Sequence, residues 1–353
     1  MKVALVTDTH FGARSDSLAF DAYFAKFYDE CFFPYLEEHD IKTICHLGDI
    51  FDRRKYINFN TLKSCKRYFF QKAQDLGIEI HMIPGNHDTY FKNTNDVNSP
   101  NLLLGEYDNI ILYEEPTEIM LDRHKVLYLP WICGENYDRT MAKIKESDAK
   151  TCFGHFEFAG YYLLPGMPNI HGMDTDAFSD FDLVVSGHFH HRHSRGNITY
   201  MGNPYEITWS DYDDPRGFAI FDTVKGDLEY INNPFRIFHK IYYDDSDFEG
   251  CNDISNYDFN SIIGSNVKLI VTKKQDYARF DHFVDKLYQC NLIDLKIIED
   301  FSEFEDEALG DDIDLEDTMT LLKDYVNNVE TDLDKQRIKN LLQSLYIEAQ
   351  DTV

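Results

Sequence analysis

No two cysteines in this chain stand in a CxxC arrangement. Cys31, Cys45, Cys65, Cys133, Cys152, Cys251 and Cys290 are odd in number and scattered. That excludes a disulfide framework and a zinc knuckle, and it points to reduced thiols in a cytosolic protein. No apolar run approaches the ~18–20 residues that span a bilayer. The start, MKVALVTDTH, meets Asp8 and His10 too early for a secretory signal. Positive charge is scarce. Against 63 Asp+Glu stand 34 Lys+Arg in 353 residues, a formal net charge of −29. As a single number, that argues against gripping nucleic acid by general electrostatics. Global disorder is excluded as well, because 43% of the residues are hydrophobic and 15% aromatic, ample for a packed core.

The charge is uneven. Residues 1–240 sum to −12 and residues 241–353 to −17. Between Asp300 and Asp317 there are ten acids and no base. Such a run reads as a solvated, self-repelling linker, or else as an acidic segment that docks on a basic partner. The opposite bias occurs at Arg53–Lys72, with seven bases and no acid. It is either a solvated helix face or a face that contacts phosphates or a partner.

Short apolar runs ending in polar residues mark strands at Val3–Thr7, Ile41–Leu47, Ile78–Ile83, Ile110–Tyr113, Val126–Pro130, Thr151–Gly154, Leu183–Ser186 and Gly217–Phe221. Helical periods lie at Leu18–Leu36, which Pro34 should end, and at Thr61–Leu76. Strands alternating with helices predict an α/β domain over residues 1–234. The later strands follow one another without helices, which predicts two sheets, one partly antiparallel. Residues 235–300 restart the pattern as a small strand–strand–helix–strand unit. After the acidic linker at 301–314, two amphipathic helices fill 315–349. Leu315, Met319, Leu322, Val326 and Val329 form a heptad-like seam, and Leu333, Ile338, Leu341, Leu342 and Leu345 a second apolar face. This arm either packs back on the body or binds another protein, and its polar tether favours the second.

Five motifs carry the chemistry, each just after a predicted strand. They are Asp8-Thr9-His10, Gly48-Asp49-Ile50-Phe51-Asp52, Gly85-Asn86-His87-Asp88, Gly154-His155 and Gly187-His188-Phe189-His190. Ligands gather beyond the carboxyl ends of strands in α/β sheets, so the five should converge on one crevice. Carboxylate, amide oxygen and imidazole without thiolate suit Mn²⁺, Fe²⁺ or Zn²⁺. Asp-x-His and His-x-His on extended chain put both side chains on one side.

In this order, the motifs resemble the calcineurin-like metallophosphoesterase superfamily. Within it, His10-Phe11-Gly12, Gly48-Asp49-Ile50-Phe51-Asp52 and Tyr200-Met201-Gly202-Asn203-Pro204 resemble the SbcD (Mre-eleven) nucleases, and His10–Arg14 with the compact second unit resembles their phage recombination-endonuclease versions. The resemblance implies a two-sheet sandwich flanked by helices (αββα), a small α/β capping domain and a C-terminal helical arm. It implies two divalent ions, expected to be Mn²⁺. One would be held by Asp8, His10, Asp49 and His190, the other by Asp49, Asn86, His155 and His188. His155 is preferred to His171 because it ends a clear strand. Two such ions ~3.5–4 Å apart clamp a phosphodiester and activate a water. His87 is placed as general acid, oriented by Asp88 or a backbone carbonyl. Asp52 has a catalytic or supporting role. Arg14, Arg53, Arg54 and Arg195 are candidate phosphate contacts, while His191 and His193 are read as surface or supporting residues. The implied function is a DNA exo/endonuclease subunit of an SbcCD-like repair and recombination complex. Its expected partners are DNA, an SMC-like ATPase (SbcC or Rad-fifty type) bound through Leu315, Met319, Leu322, Val326, Leu341 and Leu345, and a second copy of the chain. Thr61–Leu76 and Asn98–Tyr107 are the candidate dimer helices, although their apolar residues could equally be core. The setting would be the bacterial host cytoplasm if the gene is a phage's. The alternative is a metallophosphatase acting on phosphomonoesters or phosphoproteins, which would need neither the second domain nor the arm. Two ions add about four positive charges where phosphate must sit, so the net charge no longer argues against DNA.

Overall fold

The computed structural model of the chain describes residues 1–164, 167–246, 257–299 and 335. Each of the eight apolar runs becomes a strand that starts within two residues of the run. The first sheet takes β1 (Lys2–Val6), β2 (Thr43–His46), β3 (Glu79–Met82) and β4 (Ile110–Leu112), paired parallel in that order. The second sheet takes β5 (Thr117–Leu121), β6 (His124–Leu129) and β7 (Thr151–His155). A short hairpin follows, β8 (Tyr162–Leu164) with β9 (Met167–Pro168). The second sheet then resumes with β10 (Leu183–Gly187), β11 (His193–Arg195) and β12 (Ile198–Tyr200). Next, β13 (Gly217–Asp222) and β14 (Asp227–Asn232) return to the first sheet, β13 lying antiparallel to β1. The two six-stranded mixed sheets run β14-β13-β1-β2-β3-β4 and β11-β12-β10-β7-β6-β5.

Alternation along each strand builds the layers. Val3, Leu5, Cys45, Val126, Tyr128, Phe153, Val185 and Phe221 join in one apolar cluster drawn from both sheets. On the outer face of the second sheet, Leu127, Leu129 and Val184 pack with Ile144 of helix Tyr137–Glu146. Over the first sheet lies an aromatic layer, in which Tyr28 meets Tyr68 and Phe69, and Phe32 meets Phe218. Two sheets flanked by helices is the architecture that the sequence predicts. Strands β1, β2 and β7 lack polar alternation because both of their faces are covered.

Pro34 does not end its helix. The helix widens into a π turn at Tyr28–Phe32, where the Phe33 N–H reaches the Tyr28 carbonyl, and a new α-helical segment runs from Phe33 to Glu38. Pro34 therefore falls in the first turn of that segment, where its missing N–H is tolerated. Helix 59–75 also contains a π turn, at Lys66–Phe70.

After Pro234, β15 (Phe238–Asp244), β16 (Asn266–Lys273) and β17 (Asp294–Ile298) form a three-stranded sheet under helix Tyr277–Gln289. It has its own apolar cluster, with Tyr243, Leu269, Phe280, Phe283 and Leu287. The Glu206 carboxylate receives the N–H groups of Ile237 and Phe238 at 2.8 and 3.0 Å, tying this unit to the chain that precedes it. The acidic linker at 301–314 and, apart from residue 335, the arm at 315–349, with Leu315, Met319, Leu322, Val326, Leu341 and Leu345, lie outside the described residues. Among the described residues every cysteine is free, and no helix is long and apolar enough to cross a membrane.

Candidate metal centre

The parallel order of β1, β2 and β3 in one sheet, and of β7 and β10 in the other, brings five carboxyl ends to one edge of the sandwich. All five motifs emerge there. The loops are strained. Asp8 (φ 51), His10 (φ 40), Asp49 (φ 54) and His188 (φ 88) hold left-handed conformations that cost a non-glycine residue about 1–2 kcal/mol each. The strain is held by cross-links between loops. Asp8 and His10 donate their N–H groups to the Gly48 and Asp49 carbonyls at 3.0 and 3.1 Å. The buried Asp88 carboxylate gathers the N–H groups of Gly85, Ile50 and Phe51 at 2.8, 3.0 and 3.2 Å. The chain also passes very close to the donors. A Cβ on Gly85 would lie 2.2 Å from Asp49 Oδ1, and one on Gly187 would lie 2.1 Å from Thr7 Oγ1.

The donors fall into two groups. In the first, His10 Nε2 and His190 Nε2 are 3.0 Å apart, and each is 4.0 Å from Asp8 Oδ1. In the second, Asn86 Oδ1 lies 2.9 Å from His155 Nε2 and 3.0 Å from His188 Nδ1, and Asp49 Oδ2 lies 3.3 Å from His155 Nε2. Asp49 Oδ2 is also 3.7 Å from His10 Nε2, so this carboxylate stands between the groups. His155 Nδ1 donates to the Leu47 carbonyl at 2.8 Å, which aims its Nε2 at the centre. His171 is exposed on a loop and is in neither group.

Burial and close neighbours shift the protonation of these donors. Burial raises the Asp8 carboxyl above its usual range. Burial also opposes ionisation of Asp49, but His155 and His87 beside it outweigh that and hold it well below. Burial and the neighbouring His155 push His188 down to about 3, and burial with His190 lowers His10. Both shifts favour the neutral imidazole, whose ring nitrogen can offer a lone pair. Burial works against a charged His155 too, but Asp49 takes it up to about 9. Two buried carboxylates, an amide oxygen and imidazoles converging at these distances fit divalent oxygen- and nitrogen-liganded ions.

Around this centre, His87 receives no ligand geometry of its own. Its backbone N–H goes to Asp49 Oδ1 at 2.8 Å, its Nδ1 meets the Asp52 carbonyl at 2.7 Å, and its ring stands edge-on to His10 at 4.9 Å. The Asp52 backbone carbonyl is thus one group that orients it. The Asp52 carboxylate is 3.7 Å from His10 Nδ1, and burial raises its pKa. Arg14 is exposed in a left-handed turn, with φ 54 and ψ 48. Arg53 pairs with Asp16 at 3.1 Å, Arg54 lines a groove with Tyr56 and Leu102, and Arg195 sits on edge strand β11, reaching the Gly160 carbonyl at 3.4 Å. Of the base-rich segment, Lys66 pairs with Glu106 and Lys72 with Asp29. His191 meets Asp214 at 2.8 Å, and His193 stacks on Tyr200.

The structure adds residues that sequence reasoning passed over. Trp131, just beyond β6, covers His188 and His155 at ring distances of 5.4 and 6.0 Å. Its place directly after a strand end was the available signal. Buried His46, taken by burial to about 3, meets the Thr9 hydroxyl at 3.0 Å behind the first motif.

Comparison with known proteins identifies the family. The profile of the calcineurin-like phosphoesterase family matches residues 1–192. "Exonuclease subunit 1" of Enterobacteria phage T4 is 31% identical over 318 residues, covering 89% of this chain and 90% of that one. Among solved structures, an archaeal phosphodiesterase is 14% identical, covering 66% of this chain and 99% of its own, with a TM-score of 0.33. The Pseudomonas putida nuclease MPE is 16% identical, covering 64% and 87%, with a TM-score of 0.29. At those scores the two structures add nothing to the assignment, which rests on the family profile and the phage relative. The chain belongs to the calcineurin-like phosphoesterase family and is a metal-dependent phosphoesterase.

Proposed function

We propose that this chain is the nuclease subunit of an SbcCD-like recombination and repair complex and hydrolyses DNA phosphodiesters with two bound Mn²⁺ ions. The observation that carries the reading is the meeting of two donor groups at Asp49, with His87 beside them and outside both. Likeness to a phage exonuclease subunit over 89% of the chain supports a DNA substrate and a partner protein. Asp8, His10, Asp49 and His190 would hold one ion, and Asp49, Asn86, His155 and His188 the other. Bound there, the ions would polarise a phosphate ester and acidify water. His87 is fastened at Nδ1 by the Asp52 carbonyl and would protonate the departing oxygen through Nε2. Asp52 steadies both His87 and His10. Arg14, Arg53, Arg54 and Arg195 contact phosphates farther along the strand.

Residues 235–300 cap the nuclease domain of residues 1–234. The arm at 315–349, on its linker at 301–314, binds an SMC-like ATPase through Leu315, Met319, Leu322, Val326, Leu341 and Leu345. A second copy covers the groove of about 160 Å³ lined by Tyr56, Tyr90, Val97, Leu102 and Leu103. The complex works in the cytoplasm of a bacterial host.

The test is a comparison of substrates. Purified chain with Mn²⁺ should shorten duplex DNA from its ends and turn over phosphomonoesters poorly, more so when the ATPase is added. Equal or faster hydrolysis of a nucleoside monophosphate or a phosphoprotein would replace this reading with a phosphatase. Deleting residues 315–353 should leave Mn²⁺ binding intact and abolish capture of the ATPase, and full retention of that capture would remove the arm's assigned role.

A further inference from the structure

His190 is the most open donor of the first group. A third (33%) of its side chain is exposed, against 4% for His10 and 0% for Asp8. Besides the 3.0 Å contact of its ring with His10, its place comes from its backbone, and that backbone is gripped. Arg216 Nη1 donates both to the His190 carbonyl and to Asn203 Oδ1. The Asn203 N–H donates to the same carbonyl at 3.3 Å. The chain crosses so close beneath it that a Cβ on Gly202 would lie 2.5 Å from the His190 oxygen.

Arg216 is buried and directly precedes β13. Because β13 runs antiparallel to β1, the start of β13 lies at the end of β1 where Asp8 and His10 emerge. Its charge is balanced on the other side. Nη2 lies 2.8 Å from both Asp211 Oδ1 and Asp214 Oδ2, Asp211 Oδ2 takes the Ile207 N–H at 2.7 Å, and Asp214 Oδ2 meets His191 Nδ1 at 2.8 Å. A planar guanidinium is suited to such a place. Its rigid fork serves two carboxylates with one arm and two neutral oxygens with the other, which an ammonium on a flexible stem cannot do at once.

We propose that Arg216 is a positioning residue for the first donor group: through the His190 carbonyl it sets the His190 imidazole and thereby the affinity of that group, but not of the second, for a divalent ion. This rests on the two-ion reading above. Arg216→Lys keeps the charge that Asp211 and Asp214 require and loses the fork, so it is the primary variant. Arg216→Ala, which removes both, is the harsher companion. Mn²⁺ is titrated into the full chain by calorimetry without DNA, alongside thermal melting. The wild type should take two ions. In Arg216→Lys one of them should bind about 10–100-fold more weakly, the loss typical when a residue supporting a ligand is changed, while the other keeps its affinity and the melting temperature holds. Activity on phosphodiesters should then fall in kcat with KM retained. Equal weakening of both ions together with a lowered melting temperature would make Arg216 a general structural residue. Unchanged binding of both ions would equally overturn the proposal. A wild-type chain that binds fewer than two ions would instead defeat the two-ion reading itself.

Discussion

The two donor groups use the same kinds of side chain and are held in place by different means. In the second group, Asn86 and His155 are buried and bonded to each other, and His155 is pinned to the Leu47 carbonyl. Its members come from β2 and β3 of one sheet and β7 and β10 of the other, so the packing of the sandwich itself sets their spacing. Left-handed backbone occurs in both groups, at Asp8 and His10 in the first and at Asp49 and His188 in the second; what sets the first apart is part-open His190, whose peptide is fastened from behind by Arg216. Sheet packing and hydrogen bonds serve both groups, and the first adds the polar network of Arg216 behind His190. Each group has one part-exposed histidine, His190 in the first and His188 in the second, and only the peptide of His190 is gripped by Arg216, so single substitutions should separate the two.

The largest effect belongs to the residue that joins them. Asp49→Asn weakens the attraction for both ions, so Mn²⁺ titration should show both losses and cleavage should fall by about a thousandfold or more, some 4 kcal/mol of barrier. Loss of a single ion would show that Asp49 serves one group. Next is His87→Ala, for which both ions should stay bound while kcat drops by about 10²–10⁴. Departure of an ion in that variant would make His87 a donor rather than an acid.

A smaller effect separates the groups by stability. His155→Ala opens a hole at a buried, doubly bonded site and should cost about 2–3 kcal/mol in chemical denaturation of ion-free protein, whereas His190→Ala should cost within about 0.5 kcal/mol. Equal costs would erase the distinction between a buried histidine and a part-open one held by its peptide. The smallest concerns pH. Burial, reinforced by Asp49, lifts Asp88 from 3.8 to about 7 despite the N–H groups of Gly85 and Phe51 that favour its charge. In ion-free protein the folded state thus keeps a proton that the unfolded chain releases. The stabilisation is complete below about pH 4 and is lost as pH rises toward 7. Denaturation curves across that window should slope downward for the native chain and flatten for Asp88→Asn.

Much of the fold could be read in advance because its strands are short apolar runs closed by polar residues, and because the carboxyl end of each such run is where a donor appears. His155 over His171 was decided by that rule alone, and the structure places His155 beside Asn86 and Asp49. Pro34 was misread, because a π turn is a property of backbone register that no composition signals. Trp131 and Arg216 went unread for another reason. Trp131 matters through its distance to His188, and Arg216 through the carbonyl it reaches. Both depend on strands distant in the chain being laid side by side, whereas periodicity reports only neighbours within a turn or a pleat.

The sequence by itself determined which residue types stand at which strand ends, and therefore that carboxylate, amide and imidazole donors without thiolate would meet at one edge of an α/β domain. That is local information, since a donor two residues beyond an apolar run keeps its place wherever the strand goes. Only the tertiary structure decided how those donors divide into two groups, that Asp49 stands between them, and that a buried arginine before β13 holds one histidine from behind. Those outcomes depend on strand order, on antiparallel return and on distances of about 3 Å between side chains far apart in the chain. Burial then decided the charges, since removing water from neighbouring carboxylates and imidazoles makes each one's protonation depend on the others.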